Sequence, residues 1–165
     1  WVFENLYDLF NSKYTMKNSS INSRVGYFEF MYKKRTIIVH HAMPLPKDEF
    51  GKVLRDEPDY TIFVEQATHE NLVCVLDAKN MKKLSREEKK TILEYTHPHQ
   101  QDCNFGALIS KADEELLGRR REHTSWNFCL RFSKESEENN KKTLELIHDE
   151  IIEEIDRFLD RKSSE

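Results

Sequence analysis

The sequence predicts one α/β domain, a mixed central sheet flanked by helices, spanning residues 1–165. Three observations carry that prediction: an amphipathic helical pattern at the start, a series of short β-rich runs in the middle, and a long helical stripe at the end. With 38% hydrophobic residues in 165, the chain can bury one sizeable core, and ordinary domain size argues against a second. Its opening Trp1-Val2-Phe3 is too apolar for a frayed tail, as expected of a domain excised from a longer protein.

From Trp1 to Phe10 the residues Val2, Phe3, Leu6, Tyr7, Leu9 and Phe10 recur at helical spacing, with Glu4, Asn5 and Asp8 opposite them. The polar stretch Asn18 to Ser23 is expected to end that helix. Val25 to Tyr32 and Thr36 to His41 read as an antiparallel hairpin with Lys33, Lys34 and Arg35 at its tip. Met43 to Pro58, rich in proline and charge, reads as a loop. Tyr60 to Glu65 and Leu72 to Leu76 are two further strands, close enough in sequence for a simple hairpin.

Ser85 with Glu88 makes a capping box for a helix running to about Tyr95, which Pro98 prevents from continuing. Phe105 to Ile109 reads as a strand, Asp113 to Arg121 as a short helix or charged loop, and Trp126 to Phe132 as the final strand. Leu144, Ile147, Ile151, Ile155 and Phe158 then form one apolar stripe along a closing helix from Lys141 to Asp160.

Chemistry gathers at two strand ends. Pro58-Asp59 stands at the start of one strand and Asp77-Ala78-Lys79 at the exit of the next. Strand alternation puts Asp77 and Lys79 on one face and turns Ala78 to the other with Leu76 and Cys74. If the strands pair as neighbours, Asp59 lies beside Asp77. Two carboxylates and an ammonium at one place are the residue types that metal-assisted phosphodiester hydrolysis requires. Three other acidic-x-Lys triplets, beginning at Glu87, Glu88 and Asp160, fall on predicted helices. Only Asp77-Ala78-Lys79 follows an apolar strand and precedes a capped helix.

In those residues the chain resembles the PD-(D/E)xK nuclease superfamily, its signature matched by Pro58, Asp59, Asp77, Ala78 and Lys79. The opening helix, the hairpin, Pro58-Asp59-Tyr60 and Leu76-Asp77-Ala78-Lys79 look like the endonuclease subunit of McrBC-type modification-dependent restriction systems. The resemblance spans roughly the first two thirds of the chain and departs from that subfamily at Asn80. It implies a restriction-endonuclease-like core and an endonuclease acting on DNA, the cutting module of a restriction or antiviral defence system. It further implies Mg²⁺, or Mn²⁺ in its place, held by Asp59, Asp77 and the Ala78 carbonyl, with Lys79 completing the catalytic set. Glu4 is the first-helix residue whose position suits a further metal ligand.

Lys82 and Lys83, just after the motif, and Arg119, Arg120 and Arg121, the densest basic cluster, are candidate phosphate contacts. Gln100 is a candidate contact to the scissile nucleotide. His97, His99 and Cys103 have zinc-ligand chemistry but match no zinc spacing, and a surface loop is the expectation there.

Against 26 basic residues stand 30 acidic ones, a net charge of -4 that gives no global argument for nucleic acid. The unpaired spacing of Cys74, Cys103 and Cys129 predicts a reduced, cytoplasmic protein, and no apolar run suits a membrane span. No helix-turn-helix or zinc finger is visible, so target recognition is expected from a partner subunit or fused domain, and double-strand cutting from a homodimer. The alternatives are a catalytically inactive module of the same fold, binding nucleic acid or a partner protein, and a structural module docking through its final helix.

Overall fold

Phe3, Leu6 and Phe10, spaced to fall on one side of a helix, are the buried residues of α1 (Val2–Lys13). The computed structural model describes residues 2–21, 26–42, 58–66, 70–79, 85, 87, 105–110, 120–122, 125–131 and 137–164. After α1 come β1 (Met16–Ser20), β2 (Gly26–Tyr32), β3 (Arg35–His41), β4 (Tyr60–Glu65) and β5 (Glu70–Lys79). Then follow β6 (Phe105–Ser110), β7 (Arg120–Glu122), β8 (Ser125–Arg131) and α2 (Glu137–Ser163).

The strands form one sheet in the order β1-β2-β3-β4-β5-β6-β8-β7. β5–β6 and β6–β8 pair parallel and every other neighbouring pair antiparallel, so the sheet is mixed and the α/β class holds. The β2–β3 hairpin closes over Lys33 and Lys34, whose φ angles of 45° and 64° suit the tight two-residue turn. Lys33 Nζ then lies 2.7 Å from Asp156 Oδ1, fastening the hairpin tip to α2.

One face of the sheet carries Phe28, Phe30, Ile37, Val39, Ile62, Cys74, Leu76, Ala107 and Ile109 into a single core with both helices. α2 contributes Leu144, Ile147, Ile151, Ile155 and Phe158, the stripe predicted from the sequence. The helices also meet directly, through Phe10 against the His148 ring and the Tyr14 hydroxyl 2.8 Å from His148 Nε2. On the opposite face Ile38, Thr61, Phe63, Leu72, Val75 and Asp77 are buried too. Burial of β4 and β5 on both faces explains why their sequences are continuous apolar runs rather than alternating ones.

Three expectations change. Met16–Ser20 is a strand where only the end of the first helix was expected, because it completes the sheet through backbone pairing with β2 while its side chains stay mostly exposed. Residues 120–122 are a strand antiparallel to β8 rather than helix or loop. β5 continues past Leu76 because β6 pairs with it in parallel as far as Lys79 and Ser110, so Asp77 and Lys79 lie within the strand rather than beyond it. The predicted loop at 43–57, and the predicted helix from Ser85 apart from Ser85 and Glu87, lie outside the described residues. So do residues 113–119 and the predicted zinc-chemistry residues His97, His99 and Cys103.

Candidate active site

Asp59 is fixed from two sides. Its backbone carbonyl accepts a hydrogen bond from Ala42 N at 2.9 Å, which ties it to the end of β3. Its side-chain Oδ2 accepts one from Ala78 N at 2.6 Å, which carries the carboxylate across to β5. The ladder registers Tyr60 with Leu76, so by alternation Asp59 stands across from Asp77 on the face turned away from α1 and α2. A bulge at Ile62/Phe63 lets β5 take one extra residue, and regular alternation resumes before Asp77.

Asp77 is 2% exposed, and Lys79 Nζ lies 2.7 Å from its Oδ2. Through that contact the Lys79 ammonium partners the buried Oδ2, and no other described group donates to it. Burial pushes the Asp77 carboxyl up to about 6 from its ordinary 3.8; Lys79 pulls it down, while the charge of Asp59 and a hydrogen bond between the two carboxyls raise it. Burial thus leaves the Asp77 carboxyl with a desolvation cost that the Lys79 ammonium only partly offsets. A divalent cation fits this donor set: two adjacent carboxylates, with a buried oxygen that nothing else donates to.

The predicted trio Asp59, Asp77 and Lys79 is therefore brought together, with Ala78 between its strand neighbours and hydrogen-bonded to Asp59. Glu4 is not part of it. Among the described residues no three His, Cys, Asp or Glu side chains converge as a metal set. The reason is packing: Phe3 stacks on His41 and Tyr60 on the helix side of the sheet, and Glu4, next in the chain, is exposed there. Arg120 and Arg121 lie on β7 at the sheet's edge, three strand positions from β5, roughly 14 Å at ordinary strand spacing. Lys82, Lys83, Gln100 and Arg119 lie outside the described residues.

Two further residues lie near the pair. His41 is sandwiched between Phe3 and Tyr60 at ring separations of 5.0 and 5.2 Å, and its buried Nδ1 has no hydrogen-bond partner. Burial lowers its pKa, partly opposed by the charge of Asp59. Thr61 is 1% exposed with its Oγ1 likewise unpartnered. The signal for Thr61 was present: two residues after Asp59 in a strand, it must share the Asp59 face.

No family model, curated protein or solved structure matches this chain.

Proposed function

We propose that this chain is a metal-dependent nuclease domain of the PD-(D/E)xK type, hydrolysing DNA phosphodiester bonds as the cutting module of a restriction or defence system. The observation that supports this most is the buried Asp77, coupled to Asp59 and touched by Lys79 at 2.7 Å. Asp59 and Asp77 would hold Mg²⁺, with the Ala78 carbonyl as a further oxygen. Bound there, the cation would supply a lowered pKa for water and neutralisation of the phosphate.

The chain's own residues do the rest. Asp59, hydrogen-bonded to Ala78 N, keeps the two strands at fixed spacing where the carboxylates meet. Asp77 holds the Lys79 ammonium beside the pair, where its charge can stabilise the negative oxygens of the phosphate as bonds change. The apolar surroundings of β5 keep bulk water away, which strengthens both electrostatic contacts. One observation favours the rival, an inactive module of the same fold: among the described residues no third His, Cys, Asp or Glu converges with Asp59 and Asp77.

Plasmid cleavage with Mg²⁺ by the parent assembly separates these readings. Lys79→Ala is expected to keep its fold and lose roughly 10²–10³-fold in cleavage rate, the usual cost of removing one preorganised charge-stabilising group. Cleavage unaltered by that change would strip Lys79 of its role. An intact assembly that never cuts would favour the inactive module.

A further inference from the structure

Thr61 occupies the middle of an apolar strand, where Val would have the same shape and no polar atom to bury. Ile62 and Phe63 follow it, and Val75 lies across from it on β5. A buried hydroxyl without a partner is uncommon because it forfeits its hydrogen bonds to water, so its presence calls for an explanation. Asp77 Oδ2 is a second buried oxygen, in ion-pair contact with Lys79 Nζ at 2.7 Å. Sheet register puts the two on one face of adjacent strands as diagonal neighbours, with Thr61 opposite Val75 and Asp77 two residues further along β5. Diagonal neighbours have their backbones ~7–8 Å apart, with side-chain atoms closer, a span that one water with two hydrogen bonds bridges.

We propose that Thr61 is a positioning residue of the carboxylate site, its buried hydroxyl holding a water of hydration of the cation bound by Asp59 and Asp77. The inference rests on the nuclease reading above. It gives the buried Thr61 hydroxyl a partner that no described residue supplies. Magnesium binds through a few carboxylate oxygens and keeps several waters, which need neutral partners of this kind to be oriented. A hydroxyl serves here where, among the described residues, no third carboxylate joins the pair.

The test is Mn²⁺ binding to the whole chain, followed by isothermal titration and by the Mn²⁺ paramagnetic resonance signal, which require no cleavage. Thr61→Val is expected to weaken Mn²⁺ binding on the order of tenfold, the usual cost of losing a group that orients a metal's ligands. Thr61→Ser should bind as the unaltered chain does. In EDTA the Val variant should unfold at the same or higher denaturant, since it removes a buried orphan. Should Val at this position prevent folding, Thr61→Ala read against Thr61→Ser makes the same comparison.

Loss of Mn²⁺ in Asp77→Asn alongside undiminished binding in Thr61→Val would overturn the role of Thr61 and leave the carboxylate site standing. Equal weakening by Ser and Val would also overturn it, because the methyl packing would then be responsible. Identical Mn²⁺ behaviour of the unaltered chain and Asp77→Asn would overturn the carboxylate site and Thr61 with it.

Discussion

Asp77 is held in the fold at a cost to its charged form. Its carboxyl sits near 6 because burial disfavours the charge, so between pH 3.8 and about 6 the native fold keeps a proton that the unfolded chain has released. Stability from this group is complete below the unfolded value and is lost as pH rises through the folded one. In metal-free buffer at about pH 8, Asp77→Asn should therefore be more stable than the native chain, by at most ~3 kcal/mol, the rise from 3.8 to about 6 taken at ~1.4 kcal/mol per pKa unit. Urea denaturation in EDTA measures this, and a variant less stable than the native chain would contradict it. His40, His41 and His148 run the other way. Burial lowers each, so their stability is present at neutral pH and fades as pH falls below their ordinary 6.5. The importance of Asp77 was legible in the sequence, because an aspartate ending Leu72-Val73-Cys74-Val75-Leu76 had to be buried or partnered. The place of Glu4 was not legible, because helical periodicity says which residues are polar and not which side of a sheet the helix covers.

At the scale of elements, β4 and β5 were readable from their apolar runs, and α2 from its stripe. β1 was not, since Met16-Lys17-Asn18-Ser19-Ser20 has no apolar alternation. It is held by backbone bonds to β2, with Thr15 O accepting from Met31 N at 3.0 Å just beyond its start. β7 was hidden in the same way, three charged residues paired along one edge of β8. Where β2 begins, Gly26 lets α1 approach: a Cβ there would meet the Phe3 ring and the Ser20 carbonyl, each at 2.8 Å. Phe3 in turn stacks on His41 and Tyr60, so this close approach seats the end of the sheet that carries Asp59. Gly26→Ala is expected to destabilise the fold by ~1–3 kcal/mol through overpacking, and to disturb the His41 stack. A shifted thermal midpoint together with altered His41 ring resonances would register both effects. An unchanged midpoint would mean that the strand end is softer than its packing implies.

For the whole molecule, the nuclease proposal makes charge the control on how a duplex would approach. α2 exposes Glu137, Glu138, Asp149, Glu153 and Asp160 together with Lys141, Lys142, Arg161 and Lys162, whereas the Asp59–Asp77–Lys79 group belongs to the other face of the sheet. Phosphate contacts dominate nucleic-acid affinity, and a net charge of -4 supplies few of them. The isolated domain should accordingly cut DNA weakly or not at all, and double-strand cutting should need two copies or a DNA-reading partner. Concentration series of nicking against linearisation check this, and efficient double-strand cutting linear in monomer concentration would contradict it. Among the described residues no helix is long and apolar enough to cross a membrane.

On the proposed function, a buried, destabilising carboxylate is kept for cation-dependent cleavage. One sample decides it most directly: the parent assembly carrying Asp77→Asn, assayed for Mg²⁺-dependent plasmid cleavage and for thermal stability in the same buffer. A folded variant, at least as stable as the native assembly without metal and unable to cut, is the expected result. Cleavage at the native rate by that variant would contradict the account.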